Sequence, residues 1–138
     1  MGACMRGLGL IPDVILVSSS RRTQETMEAL GSWDERPNIE TLPGLYMASE
    51  AQIRETLREL PETVRSVLVI GHNPGMHEVA RALAGRMAGK PELERLADSF
   101  PTASLAEFLV ATPWHRLGHA GTSLKRFIRP ADLPAAAG

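Results

Sequence analysis

Apolar residues in this chain occur in two patterns, continuous runs typical of buried strands and a three-to-four-residue spacing typical of amphipathic helices. Continuous runs cover 13–19 (DVILVSS) and 65–72 (RSVLVIGH). Helical spacing follows each of them, over 20–32 and over 73–87. Because strands that are apolar throughout are covered on both faces, this alternation predicts a parallel sheet enclosed between helices.

The rest of the chain predicts further elements of the same kind. A short strand is expected at Ile39–Leu42, and a helix capped by Ser49 is expected to follow it. Residues 90–101 are polar and predict a helical turn and a loop. The segments 102–112 and 122–130 predict two strands that form an antiparallel edge or meander. The predicted fold class is therefore α/β, a three-layer α/β/α arrangement with a mostly parallel sheet.

Composition narrows the class of protein. The length of 138 residues predicts a single domain over 1–138, with a frayed tail at 131–138. A formal net charge of -1 argues against a nucleic-acid partner bound by bulk electrostatics, and a single cysteine, Cys4, suits a reducing compartment. The longest apolar runs are too short to cross a bilayer, and residues 1–12 do not have the features of a signal peptide. We therefore expect a cytoplasmic protein without a membrane partner.

Polar residues follow the first predicted strand at the point where the next helix begins. The hydroxyl and backbone N–H groups of Ser18–Ser20 can face an anion at the helix N-terminus. Arg21 and Arg22 lie in the first helical turn, where a positive charge opposes the helix dipole. This unfavourable interaction with the dipole is explained if one guanidinium binds a phosphate in a bidentate manner. The alternative, serine capping with solvated arginines, stays open.

The second polar strand end is GHNPG, at 71–75. Gly71 permits a close approach of the backbone, and His72 is expected to project into the crevice at the carboxyl edge of the sheet, where ligands bind in such folds. An imidazole titrates near neutral pH, so both a phosphate contact and proton transfer are open to it. The alternative is a partly buried histidine that forms a hydrogen bond with the backbone. The position of His72, paired with the strand end that carries the arginines, favours a functional role.

The remaining chemical groups give weaker signals. His77 is expected to be a surface or packing residue, and Trp114 is expected to pack under a turn. His115 and His119 have the spacing of a helical metal pair, but glycines around them favour a loop and no Cys or acidic cluster accompanies them, so we expect no metal site. Glu50 is a weak candidate for a general acid, and a solvated glutamate in a first helical turn is the preferred interpretation.

The stretches 14–26 (VILVSSSRRTQET) and 67–85 (VLVIGHNPGMHEVARALAG) together resemble the histidine phosphatase superfamily, whose fold is phosphoglycerate mutase-like. They are most similar to its small phosphohistidine phosphatase branch, the SixA type. The segments 42–49, 100–108 and 124–133 also match the order of that branch. The resemblance therefore runs over essentially the whole chain.

The resemblance implies a phosphatase that acts on phosphohistidine or a small phosphoester through a phosphohistidine intermediate. It implies that His72 contacts the transferring phosphoryl group and that Arg22, counted from Ser18, binds that group. Thr102 either touches phosphate or begins a strand. The implied partner is a phosphorylated small molecule or a protein that carries phosphohistidine, and no cofactor is needed because positive side chains take the role of a metal ion.

The sequence departs from this family at the nucleophile. The family's attacking histidine belongs to an Arg-His-Gly/Ala motif at the end of its first strand, and no histidine of this chain follows an arginine. Only 17 residues precede Ser18, so we expect an N-terminally truncated domain in which the first strand is missing. Loss of that central strand exposes two strand edges, which predicts poor stability or self-association.

Three functions follow from these expectations. The first is a phosphatase that is active in a longer form of the protein, while the chain as given is inactive. The second is a catalytically inactive domain that binds a phosphorylated ligand, which follows directly from an anion site without a nucleophile. The third is an α/β domain whose polar strand ends serve only as helix caps.

Overall fold

The computed structural model of the chain describes residues 1–31, 33, 37–84, 91–118 and 121–133. Short 3-10 turns lie between several of the regular elements. The parts of the predictions that concern residues 32, 85–87, 90, His119 and 134–138 lie outside the described residues. The helices and strands, in chain order, are α1 Gly2–Gly7, β1 Val14–Ser18, α2 Arg21–Ala29, β2 Asn38–Leu42, α3 Glu50–Arg58, β3 Val67–Ile70, α4 Gly75–Ala84, α5 Pro91–Asp98, β4 Leu105–Val110 and β5 Thr122–Ile128.

The strands form two sheets. In the first sheet β1 lies between β2 and β3, and both neighbours run parallel to it. In the second sheet β4 pairs with β5 in antiparallel orientation. The predicted mixed α/β class with a parallel sheet is confirmed. The antiparallel pair was expected at the edge of that same sheet, and among the described residues it forms a sheet of its own.

β1 is central because its residues are apolar on both faces. All five residues of VILVS are buried, and alternate side chains enter different clusters. A third cluster lies between α4, α5 and the second sheet. The first core cluster consists of Val14, Leu16, Leu45, Ala48, Ile53, Leu57, Val79, Leu83 and Leu117. The second core cluster consists of Met5, Ile15, Val17, Leu30 and Ile70. The third core cluster consists of Ala80, Ala84, Leu96, Leu124 and Phe127.

Two local expectations were wrong in detail. Residues 91–98 form a full helix, α5, where only a helical turn and a loop were predicted. The helix is stabilised by tertiary packing, because Leu96 is buried in the third core cluster. β4 begins at Leu105, so Thr102 does not begin a strand. It lies in the turn before β4, which the hydrogen bond from the Ser104 N–H to the Pro101 carbonyl closes at 3.1 Å.

The segment predicted as a frayed tail begins with a turn. Pro130–Asp132 form a 3-10 turn, and the Arg129 guanidinium donates two hydrogen bonds to the carboxylate of Asp132. These bonds, with one from the backbone N–H of Arg129, lower the pKa of Asp132 to about 2. The turn is therefore held by charge-assisted bonds across the pH range in which the carboxylate is ionised.

The predicted cap of α3 is present as a capping box. The Ser49 hydroxyl accepts a hydrogen bond from the Gln52 N–H at 3.2 Å, and the Gln52 side chain accepts one from the Ser49 N–H at 2.8 Å. We expect Ser49→Ala to lower the free energy of unfolding by about 1 kcal/mol, because the Gln52 N–H loses its hydroxyl partner. Ser49→Asp retains an acceptor and is the control. Urea denaturation measures both, and equal losses would contradict the capping role.

None of the helices in the described part of the chain is long and apolar enough to span a membrane.

Candidate functional site

The candidate site lies where β1 and β3 end side by side. The two strands are parallel neighbours with Val17 opposite Ile70, so the residues that follow each strand meet at one edge of the sheet. There the Nε2 atom of His72 lies 2.9 Å from the Oγ atom of Ser18, within hydrogen-bond distance. Ser18 is 0% exposed. A buried hydroxyl therefore holds the imidazole at the sheet edge, and the predicted meeting of the two strand ends is seen in this contact.

The turn from β1 into α2 is fixed by a network of hydroxyl groups. Ser20 is the N-cap of α2, and its hydroxyl accepts a hydrogen bond from the Thr23 N–H. The buried Thr23 hydroxyl lies 2.8 Å from the Ser18 carbonyl, to which it donates. The Ser20 N–H in turn reaches the Ser18 hydroxyl at 3.4 Å. Because the Ser18 hydroxyl contacts both the Ser20 N–H and His72, the N-terminus of α2 begins next to His72.

The two arginines of the SSSRR stretch have different surroundings. The Arg21 side chain is 92% exposed and its Nε lies 3.0 Å from the Glu25 carboxylate, one helical turn away. Arg22 instead borders a cavity of about 1140 Å³ that His72 and Thr102 also border. Within the described part of the chain, no acidic side chain pairs with Arg22. The structure thus brings Ser18 and His72 into contact and places Arg22 and Thr102 along the same cavity.

Tyr46 is a neighbour of His72 that sequence reasoning missed. Its ring lies edge-on to the imidazole with the centroids 5.4 Å apart, and the residue is 60% exposed. The segment that carries it rests on the start of α4, because a Cβ atom at Gly75 would collide with the Ala48 carbonyl oxygen. The second glycine of GHNPG is therefore required for this contact, whereas a Cβ at Gly71 would meet only the flexible Met76 side chain.

Asn73 was also missed, and it links the histidine loop to the turn that carries Thr102. Its side-chain amide donates a hydrogen bond to the Phe100 carbonyl at 2.8 Å, and its Oδ1 atom accepts one from the His77 N–H at 3.2 Å. The single side chain therefore caps the first turn of α4 and holds the segment after α5. The pair Asn-Pro after a histidine was the signal in the sequence, but it indicated only a helix start.

The remaining candidates lie in other surroundings. The Nε2 atom of His77 lies 2.5 Å from the Leu96 carbonyl, and its ring stacks on Phe100. His115 lies 3.7 Å from the Glu62 carboxylate. Glu50 pairs with Arg54 at 3.3 Å. Among the described residues, no group of His, Cys, Asp or Glu side chains has the arrangement of a metal site.

Comparison with known proteins identifies the fold of this chain. No family model matches the chain. An uncharacterised protein of Mycobacterium leprae is 28% identical over 116 residues, which are 84% of this chain and 70% of that protein. A candidate phosphohistidine phosphatase SixA from Nakamurella multipartitia has a structure that superposes with a TM-score of 0.81 at 23% identity, over 94% of this chain and 77% of that one. This chain has the SixA fold.

A second solved structure agrees with this assignment. The protein histidine phosphatase SixA in complex with tungstate superposes with a TM-score of 0.72 at 23% identity, over 96% of this chain and 78% of that one. The phosphoglycerate mutase-like fold expected from the resemblance to the SixA type is confirmed. The roles of Ser18, Arg22, His72 and Thr102 stay predictions.

Proposed function

We propose that the protein is a phosphatase of the histidine phosphatase superfamily that acts on phosphohistidine or on a small phosphoester. The contact between His72 and Ser18 carries the proposal, because it places an imidazole at the helix N-terminus of a SixA-like fold. Arg22 borders the cavity that His72 also borders, and a guanidinium and an imidazole at a helix N-terminus suit a tetrahedral oxyanion.

The proposed roles follow from charge. In phosphoryl transfer, negative charge spreads over the equatorial oxygens of the group in flight, and catalysis consists mainly of positioning and of stabilising that charge. Arg22 supplies a permanent positive charge, His72 donates a hydrogen bond to one oxygen, and Ser18 keeps the His72 ring in place. A metal ion is not needed for this stabilisation.

The chemical step requires a nucleophile. In the proposed reaction an attacking histidine nitrogen forms a bond to phosphorus while the bond from phosphorus to the substrate's leaving group breaks, and the leaving group takes up a proton. Water then displaces the enzyme histidine and releases inorganic phosphate. We assign the attacking role to a histidine outside the four of this chain, since none of the four follows an arginine.

A second candidate function is the binding of a phosphorylated ligand without turnover. It is favoured by the surroundings of the other described histidines. The His77 imidazole contacts the Leu96 carbonyl and the His115 imidazole contacts Glu62, so both rings have partners other than Ser18 and His72. An anion site with one imidazole and one guanidinium can retain a phosphate that it does not transfer.

One experiment separates the two functions. A phosphohistidine peptide is incubated with a longer form of the protein that includes the proposed attacking histidine, and with residues 1–138 as the control. 31P NMR follows release of inorganic phosphate against a protein-free sample, while calorimetry measures binding of tungstate. Phosphate release that tungstate inhibits supports the phosphatase. Tungstate binding without release supports the binding domain. Absence of both results contradicts both functions and leaves the serines at the strand end as helix caps only.

A further inference from the structure

Two large apolar side chains are exposed beside His72. Tyr46 is 60% exposed and Met47 is 59% exposed, and the two are adjacent in the chain between β2 and α3. The Tyr46 ring contacts the His72 imidazole, and Met47 borders the cavity that His72 and Arg22 also border. Single apolar residues scattered over a surface are ordinary, but two adjacent ones at a candidate site indicate a binding surface. We call Tyr46 and Met47 the apolar rim.

The backbone that carries the apolar rim is held on both sides. Leu45 and Ala48, which flank the rim in the chain, are both buried and both belong to the first core cluster. The Ala48 N–H donates a hydrogen bond to the Leu45 carbonyl at 3.3 Å, which closes a turn around the rim. The Ala48 carbonyl lies against the backbone of α4 at Gly75, where a Cβ atom would not fit. The two exposed side chains are therefore presented by a fixed turn.

Met47 occupies a backbone position that favours glycine. Residues 45–48 form a type II turn, in which Tyr46 has φ -65° and ψ 116° and Met47 has φ 50°. The second central residue of such a turn needs a positive φ, which is strained for a side chain as large as methionine. Strain of this kind persists only where the surrounding structure holds it, and it is concentrated at functional sites. The unusual residue at this position therefore agrees with a binding role for the apolar rim.

The angle between the Tyr46 and His72 rings favours one kind of ligand group. Their centroids are 5.4 Å apart and their planes meet at 75°. Aromatic rings attract each other in offset-stacked and in edge-to-face arrangements. Because the two planes are nearly perpendicular, a third flat ring that stacks on Tyr46 lies edge-on to His72, so it makes both favoured contacts. A saturated ring or an alkyl chain makes neither, and the polarisable thioether of Met47 also favours an aromatic neighbour.

We infer that the apolar rim binds the flat ring of a ligand whose phosphoryl group lies at Arg22 and His72, and that Tyr46 is the residue that selects such ligands over aliphatic ones. The inference rests on the proposed function, because it requires the anion site, and it deepens that function by naming the class of substrate. The class is a phosphoryl group attached to an aromatic or heteroaromatic ring, such as a phenol or an imidazole. Among small phosphoesters, those of a phenol are therefore preferred to those of an aliphatic alcohol.

The test uses two phosphonates, in which a carbon–phosphorus bond replaces the bond that a phosphatase breaks. Phenylphosphonate carries a flat ring, and cyclohexylphosphonate carries a saturated ring that is at least as apolar. Isothermal titration calorimetry measures the Kd of each for the protein, and tungstate reports on the anion site alone. We expect phenylphosphonate to bind about fivefold more tightly than cyclohexylphosphonate, the effect of one or two aromatic contacts. A surface that is merely apolar would not favour the flat ring.

Matched variants assign the preference to Tyr46. Tyr46→Leu removes the ring but keeps an apolar side chain, whereas Tyr46→Phe keeps the ring. We expect the ratio of the two phosphonate affinities to fall to about one in Tyr46→Leu and to stay near fivefold in Tyr46→Phe. Ile39→Ala, which truncates a side chain that is 48% exposed on β2, is the control and keeps the ratio. A change in the anion site itself affects both phosphonates, so it cancels in the ratio.

Met47→Gly tests the second member of the apolar rim. Glycine suits the positive φ of this position, so we expect the variant to remain folded in circular dichroism. We expect the affinity ratio to fall about twofold, because the contact of a thioether with an aromatic ring is lost. The variant also covers the case in which Tyr46→Leu does not fold, and an unchanged ratio in it contradicts the part assigned to Met47.

The outcomes separate this inference from the proposed function. Tungstate binding together with equal affinities for the two phosphonates overturns the inference and leaves the anion site in place. A preference for phenylphosphonate that persists in Tyr46→Leu also overturns it, because the ring is then bound by other residues. Absence of binding by tungstate and by both phosphonates contradicts the anion site itself, and the inference fails with it.

Discussion

Leu16→Ala will lower the free energy of unfolding by about 3–5 kcal/mol, the range for a leucine truncated in a well-packed core. Leu16 is 1% exposed and lies in the middle of β1, between two partner strands. Its side chain belongs to the first core cluster, which joins the sheet to α3 and α4. Since a domain has a net stability of roughly 5–15 kcal/mol, this single change removes a large part of it.

Leu8→Ala is the matched control for that prediction. Leu8 is 43% exposed and follows α1, so the same truncation leaves no buried cavity. We expect a change within about 0.5 kcal/mol, measured by urea denaturation under identical conditions. Similar losses in the two variants would show that β1 is not the packing centre of the molecule.

The local pattern of the sequence was sufficient to predict the strands that are apolar throughout. VILVS and VLVI predict strands by themselves, and the Ser49 cap predicts the start of α3, because these signals are contained in a few adjacent residues. α5 was underestimated because its sequence is mostly polar and its support comes from Leu96, which packs against residues distant in the sequence. The division into two sheets was not predictable either, since strand pairing is decided by which edges meet.

The candidate site shows the same limit. The proximity of Ser18 and His72 followed from topology, because the carboxyl ends of adjacent parallel strands lie together. The contact of Thr23 with the Ser20 cap could have been predicted, because Thr23 lies three residues after that cap in the sequence. Tyr46 had none, since its contact with His72 depends on how the start of α4 packs beneath the segment before α3.

Arg22→Ala and His72→Ala will each weaken tungstate binding by about tenfold to a hundredfold. A hydrogen bond to a charged group contributes about 1.5–3 kcal/mol, and about 1.4 kcal/mol corresponds to one factor of ten in affinity. Both residues border the cavity at the end of β1 and β3. Isothermal titration calorimetry measures the affinity, and circular dichroism verifies that each variant is folded.

Arg21→Ala is the control that distinguishes a site from a general positive charge. It removes the same charge one residue away, but the Arg21 side chain points into solvent and pairs with Glu25. An exposed pair of this kind contributes little, so we expect less than a twofold change in tungstate affinity at physiological salt. Equal weakening by Arg21→Ala and Arg22→Ala would mean that tungstate senses only the net charge of this surface. Loss in Arg22→Ala but not in Arg21→Ala would place the anion at the cavity that His72 also borders, because Arg22 borders that cavity and Arg21 does not.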